Sequence, residues 1–375
     1  MEKIPVFAPT IGEDTKKHLS EAIDVGWLGM GSASKEFEER ISEFLGLGDR
    51  YLAVTNTGTS ALHIALLTAG IGPGDEVITP SFNYVADHQA IKMTGADVVM
   101  CDIQDDNLGI DCKKAEELIT ERTKAIIPLH FAGIPCDQEG TFNLSKNYNL
   151  RIIEDAMHAF GTKINKKKIG SYGDITCFSF DPVKIVTSVD GGCVIVNTKE
   201  ELQKLHHLRL LGVDKDTIQR YKNSRAWNYD VVSEGFRYHM NTISAVFGIS
   251  QIKQAEKFIE SRQKICQRYN DVFIEIPELK IPQTDFSNVS SFIYSLRILN
   301  GKRQEIIEHL KNQDIDVGIH FTPVHKHEYF KNSKYGNMDI TNKVVEEVLT
   351  LPLHSFMKEE YIQRVINGIT SFFRK

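Results

Sequence analysis

Between about residues 50 and 200, short apolar runs alternate with stretches of helical periodicity, and this order constrains the fold more than any other feature of the chain. Residues 51–54, 76–79, 97–100, 125–128 and 151–154 read as strands, with residues 61–67 as the helix after the first. Strands that apolar must be buried on both faces, and strand–helix–strand repeats lay such strands parallel with helices covering them. Residues 175–178 and 193–196 repeat the strand pattern with less helix between them, so the expected α/β sheet of seven strands is mainly parallel and mixed at one edge.

The pattern changes after residue 235. A helical stretch from 242 to about 269, with Ile243, Val246, Phe247, Ile249, Ile252 and Ala255 at helical spacing, is expected as one domain-linking helix. Residues 291–298 alternate like a strand, and 304–312 and 359–373 form amphipathic helices. These features predict a large α/β domain over 1–235 and a smaller α+β domain over 236–375. A chain of 375 residues is long enough for both.

Forty-four Lys and Arg against 50 Asp and Glu give a net charge of -6, and no basic block exceeds 166–168, which argues against nucleic acid as a partner. The longest stretch free of charged residues, 51–74, is broken by Thr-Asn-Thr-Gly-Thr-Ser and Gly-Ile-Gly-Pro-Gly, so no membrane span is expected. The first residues carry an acid and a proline and no long apolar run, unlike a secretory signal, and a cytoplasmic location is expected. The six cysteines are scattered and read as reduced, buried thiols.

Three segments carry candidate chemistry. Asn56-Thr57-Gly58-Thr59-Ser60 lies between a strand and a helix, where glycine allows close backbone approach and free N–H groups suit a phosphate; the same residues also make an ordinary helix cap. Residues 152–158 form an apolar strand ending in Glu154-Asp155, with His158 three residues on; this carboxylate sits where doubly wound folds bind ligands, or serves as a cap or ion-pair partner. In residues 174–184, Ser179 and Lys184 follow a strand. A lone lysine is usually solvated, whereas one enclosed in a pocket can lose its proton and act as a nucleophile. A phosphate cradle, a strand-end carboxylate, a second hydroxyl and a lysine are the parts needed to hold pyridoxal 5'-phosphate (PLP). No metal site is expected: His320, His325 and His327 lie close in sequence, but no Cys or acid beyond Glu328 completes a ligand set.

In this order the motifs resemble the DegT/DnrJ/EryC1/StrS family of PLP enzymes, mostly aminotransferases acting on nucleotide-linked keto-sugars. The likeness runs from Gly26-Trp27-Leu28 and Phe37-Glu38 through Asn56 to Leu62, Gly72-Pro73-Gly74-Asp75-Glu76-Val77 and Thr79-Pro80-Ser81-Phe82. It continues with Glu154-Asp155-Ala156, Gly173-Asp174 and Phe178-Ser179-Phe180, and ends near Leu351-Pro352-Leu353-His354. The resemblance implies the aspartate-aminotransferase-like fold (PLP fold type I) in a homodimer with its sites at the subunit interface. Lys184 matches the Schiff-base lysine and Asp155 the partner of the pyridine nitrogen. Thr59, Ser60 and Ser179 match the phosphate ligands, with Gly58 shaping the turn, Tyr84 the stacking aromatic and His158 the contact to the ring's phenolic oxygen.

The chain departs from the family pattern after the lysine, where it reads Ile185-Val186-Thr187-Ser188-Val189-Asp190-Gly191-Gly192. It departs again at Gly235-Phe236-Arg237-Tyr238-His239, where many members place an asparagine that reaches the neighbouring subunit's site; Arg237 suits a phosphate or diphosphate there. His320 and His325 fall in the segment that borders substrate in the family. The implied activity transfers the amino group of L-glutamate, through the pyridoxamine form (PMP), to a nucleotide-linked keto-sugar, a 4-keto-6-deoxyhexose, for lipopolysaccharide O-antigen or a related glycan. The alternatives are a PLP/PMP-dependent sugar dehydratase of the same fold, whose relatives carry His where this chain has Lys184, a non-catalytic PLP-binding regulator, and a small-amino-acid aminotransferase or lyase.

Overall fold

The computed structural model describes residues 2–374. Strands β1 (Tyr51–Thr55), β2 (Glu76–Pro80), β3 (Asp97–Cys101), β4 (Thr123–Ile126) and β5 (Arg151–Asp155) fall within two residues of the expected runs. A hairpin of β6 (Lys163–Ile164) and β7 (Lys167–Lys168) precedes β8 (Ile175–Ser179) and β9 (Gly192–Val196). The rest of the chain adds β10 (Leu279–Lys280), β11 (Tyr294–Ile298), β12 (Lys334–Tyr335) and β13 (Val348–Leu351).

The main sheet runs β1-β9-β8-β5-β4-β2-β3-β12. Only β9 opposes its neighbours, pairing antiparallel with β1 and β8, so the sheet is mixed next to one edge as expected. The expected seven strands are all present, and β12 is an eighth, parallel to β3. Its two residues are exposed and carry no apolar run, the usual dress of a short edge strand, so no hydrophobic pattern marked it.

The two-residue period of the strands sends their side chains alternately to the two faces of the sheet, where they join three clusters. Ala53, Val77, Val98, Ala125, Ile153, Ile175 and Val194 pack into one cluster, with helix Gly58–Thr68. Their neighbours Leu52, Phe178 and Ile195 join a second cluster, and Ile78, Val99, Ile126 and Ile152 a third. Helix Thr242–Ile252 supplies Ala245, Ile249 and Ile252 to the second cluster.

The three-stranded sheet β10-β11-β13 has its own core, filled by Tyr269 and Phe273 of helix Ala255–Phe273, Ile306 and Leu310 of helix Arg303–Lys311, and Val365 and Ile369 of helix Glu359–Phe373. Ile4 is buried in that core too, its N–H bonded to the Asp314 carbonyl and its carbonyl accepting from the Asp316 N–H.

Two expectations are corrected. The single linking helix from 242 to about 269 is two helices, Thr242–Ile252 and Ala255–Phe273, with Gln254 at φ -110° and ψ 2° between them. The first buries its apolar side against the large sheet and the second against the small one, and a straight helix cannot serve both cores. The strand expected at 291–298 begins only at Tyr294. Phe292 and Ile293 pack in a separate cluster with Phe82, Phe131 and Phe258, away from the small sheet's core.

Candidate active site

The segments that follow the C-terminal ends of β1, β2, β5 and β8 enclose a cavity of about 520 Å³. An opening at the carboxyl ends of parallel strands is where open α/β sheets take ligands. Gly58, Thr59, Tyr84, Asp155, His158, Ser179, Lys184 and His320 all line it, so eight of the candidate residues, spread over 263 positions of sequence, are gathered in one place.

The segment after β1 satisfies both readings of its sequence. Thr57 caps helix Gly58–Thr68: its hydroxyl accepts the Ser60 N–H at 2.9 Å, while the Ser60 hydroxyl takes the Thr57 N–H at 3.1 Å. The Ser60 side chain, which also donates to Asn56 Oδ1 at 2.8 Å, is spent on this cap and does not line the cavity. At this helix start the N–H groups of Gly58 and Thr59 have no partner within the helix, and both residues line the cavity together with Ser179 at the end of β8. Gly58 is packed so closely that an added Cβ would meet Met157 Sδ at 2.7 Å and Ser179 Oγ and Cβ at 2.9 Å.

Asp155 ends β5 and is buried. Its Oδ1 accepts the Met157 N–H at 3.0 Å and its Oδ2 accepts Asn83 Nδ2 at 3.1 Å, so the carboxylate is oriented by two donors. Lys184 sits beyond β8 with its Nζ 4.0 Å from the centroid of the Phe292 ring. Burial brings its amine down from the usual lysine value to about 8, although the negative charges of Asp155 and Asp181 oppose the shift. His158 lies against the rings of Phe292 and Phe321 at 4.5 and 5.9 Å between centroids. Burial, then the nearby Lys184 and His320, hold it uncharged, and its buried Nδ1 has no partner. His320 shares a hydrogen bond with the Thr350 hydroxyl at 2.9 Å, and burial and Lys184 lower it to about 4. Tyr84, 59% exposed, stands at the mouth with its ring 5.9 Å from that of Phe321.

Two candidates lie elsewhere. Arg237 pairs with Leu210 and lines a separate cavity of about 360 Å³ with Arg220, Arg225, Trp227 and His239. His325 is held by Ser81 Oγ at 2.7 Å and faces Asn342. Among the described residues no group of three or more His, Cys, Asp or Glu is arranged to hold a metal ion.

The cavity also contains residues that no motif announced: Phe7, Phe292 and Phe321 from chain distant in sequence, and Asn83 and Asp87 from the turn and helix after β2. The last two did carry a signal. They are polar residues four apart, directly after an apolar strand, and such spacing places them side by side at a helix start.

Residues 9–370 match the DegT/DnrJ/EryC1/StrS aminotransferase family. The chain belongs to this family. Spore coat polysaccharide biosynthesis protein SpsC of Bacillus subtilis is 34% identical to it over 375 residues, covering 98% of this chain and 96% of SpsC. UDP-4-amino-4-deoxy-L-arabinose--oxoglutarate aminotransferase of Shewanella sediminis is 32% identical, covering 98% of each chain. Among solved structures, Spr1654 of Streptococcus pneumoniae in its PLP form superposes with a TM-score of 0.90 at 28% identity, covering 100% of this chain and 99% of that one. The fold is that of the PLP-type aminotransferases, and the enzyme class is that of PLP-dependent sugar aminotransferases.

Proposed function

We propose that the cavity holds PLP, with PMP as its amino-loaded form, and that the enzyme transfers the amino group of L-glutamate to a nucleotide-linked keto-sugar. The observation that carries this reading is the meeting of Lys184, Asp155, Ser179 and the free N–H groups of Gly58 and Thr59 around one cavity. The fit is chemical as well as spatial. The close approach of Gly58 to Ser179 forms a cradle that a Cβ would fill, and His158 presents a buried nitrogen without a partner. The PLP and PMP forms of the Streptococcus pneumoniae relative support the cofactor, the 4-amino sugar in the Shewanella enzyme's name supports amination at C4 of a nucleotide-linked 4-keto-sugar, and the name of SpsC supports a surface polysaccharide as its destination; a 4-keto-6-deoxyhexose is the acceptor proposed.

In this reading Ser179 Oγ and the N–H groups of Gly58 and Thr59 would hold the phosphate, Asp155 the ring nitrogen and His158 Nδ1 the phenolic oxygen, and Tyr84 would be the stacking aromatic. Bound there, the cofactor supplies an electron sink for the carbanion formed at the donor's Cα. Lys184 Nζ would carry the proton from that carbon to C4′ in the first half of the cycle, and in the second half would carry one from C4′ to the acceptor carbon of the keto-sugar. An amine near 8 is suited to this exchange, since its neutral and charged forms are both populated close to neutral pH. Phe292 and Phe321 keep water from the reacting face, and His320 borders the substrate.

A homodimer is part of the proposal. Ile218, Trp227, Tyr229, Val231 and Val232 form an exposed apolar stretch beside the cavity that contains Arg237, and a second copy of the chain would cover it and bring Arg237 towards the partner's phosphate-bearing groups. We also place the enzyme in the cytoplasm; no helix among the described residues is long and apolar enough to cross a membrane. The test is absorbance of the purified protein with PLP, before and after L-glutamate. Wild type should show a visible band that glutamate moves into the near ultraviolet, and Lys184→Ala should show neither the band nor turnover. No band in wild type would overturn the reading.

A further inference from the structure

Asp155 is not alone at the base of the cavity. Asp87, on helix Ala86–Met93, lines the same cavity and is only 1% exposed. The two carboxyl groups are joined through Asn83. Its Oδ1 accepts the N–H of Tyr84 at 2.6 Å, which fixes the orientation of the amide, and its Nδ2 donates to Asp87 Oδ2 at 2.7 Å and to Asp155 Oδ2 at 3.1 Å. Asp87 Oδ2 receives only a long contact from the Thr79 hydroxyl besides, at 3.5 Å, and Oδ1 is buried without any partner.

Among the described residues, none of the groups that act most strongly on Asp87 is a cation. The groups around Asp87 are Thr79 of β2, Asn83 of the turn, Asp155 of β5 and the Cys177 thiol of β8, while the Lys184 amine interacts with Asp155. Two carboxylates so placed in a buried site cannot both be ionised; one keeps its proton and becomes a donor to the other. Asp155 has two N–H donors and Asp87 one, so the charge belongs on Asp155. Burial and the charge of Asp155 both push the Asp87 carboxyl well above the usual carboxylate range.

We propose that Asp87 stays a carboxylic acid at neutral pH and donates a hydrogen bond to Asp155, so that the pair presents a single, oriented negative charge to the cavity. Asp87 is then a positioning residue acting through Asp155. This rests on the proposed PLP site for its consequence and on the carboxyl pair alone for its chemistry.

The experiment has two arms. Infrared difference spectra of the protein without cofactor, wild type against Asp87→Asn, should show a protonated carboxyl C=O band in wild type that the substitution deletes. The second arm is calorimetric titration with PMP across pH, in a Lys184→Ala background so that the lysine does not titrate. Asp87→Asn, whose amide can still donate to Asp155, should bind PMP as tightly as its Asp87 parent at neutral pH. Asp87→Ala should bind about tenfold or more weakly, the ratio expected for loss of a hydrogen bond to a charged group. At high pH, where Asp87 gives up its proton, the parent's affinity profile should carry an ionisation step that the profile of Asp87→Asn lacks. Absence of the acid band in wild type, or identical PMP affinities and pH profiles in all three proteins, would overturn the proposal. Failure of every protein to bind PMP while the acid band is present refutes the cofactor site and leaves the proton assignment standing.

Discussion

Gly58→Ala tests the cradle. Gly58 is the first residue of its helix and its φ is not in the left-handed region, so the backbone itself accepts alanine, which is the better helix former. The obstacle is space. The new Cβ would lie 2.9 Å from both Ser179 Cβ and Oγ and 2.7 Å from Met157 Sδ, whereas ordinary contact begins near 3.4 Å. Met157 is flexible and can swing aside. Ser179 belongs to β8, hydrogen-bonded between β5 and β9, so the helix start and Ser179 must separate by about 0.5 Å, the tolerance within which a binding site keeps its function. One charge-assisted hydrogen bond to the phosphate is then lost or lengthened, worth about 1.5–3 kcal/mol, which is roughly ten- to a hundredfold in PLP affinity. The assay is PLP titration followed by absorbance, alongside thermal unfolding of the protein without cofactor. Affinity should fall within that range while the unfolding temperature stays within a few degrees of wild type. Unchanged affinity would refute the phosphate assignment, and loss of folding without cofactor would show that the contact is structural.

The amine of Lys184, lowered to about 8, must lose its proton before it can attack PLP, so the rate at which the visible band forms should climb as pH rises through about 8 and level off above it. Asp181→Asn removes a negative charge that raises the lysine, while its side-chain oxygen can still accept the Val183 N–H, so the climb should move to lower pH; a move to higher pH would contradict the electrostatic account. Arg209, fully buried, donates to Glu38 Oε1 at 2.7 Å and to the Val54 carbonyl at 2.8 Å, and also to the Tyr221 hydroxyl. Arg209→Ala strands the Glu38 charge and should lower unfolding stability by about 3–5 kcal/mol in a urea titration, against near-zero for an exposed pair such as Lys35–Glu39. Trp227→Asp places a charge on a side chain 90% exposed in the monomer, and light scattering should find wild type as a dimer and the variant shifted to monomer; a variant as dimeric as wild type would remove this face from the interface.

The strands and the candidate lysine, aspartate, serine and glycine were legible in the sequence because their signals are local. A buried strand must be apolar along its length, and a phosphate-binding turn must keep glycine where backbone comes close. The same local signals mark which residues end each strand, and in a parallel sheet those ends share one side. Packing decided the rest. Ser60 is a partial exception: local bonds to Thr57 and Asn56 spend its hydroxyl on the cap, and only the fold shows that the cavity takes Thr59 and leaves Ser60 out. The apolar pattern from 242 onward is the same for one helix or two; only the presence of two separate cores breaks it at Gln254. Phe7, Phe292 and Phe321 look like core residues in sequence and become cavity walls because the first residues of the chain and the loops of the small sheet fold back onto the large one. The Asp87–Asn83–Asp155 group is legible only in part, as a polar pair four residues apart. That β5 sets a second carboxyl beside it, 68 residues further on, follows from strand order, which long-range packing of the whole sheet determines.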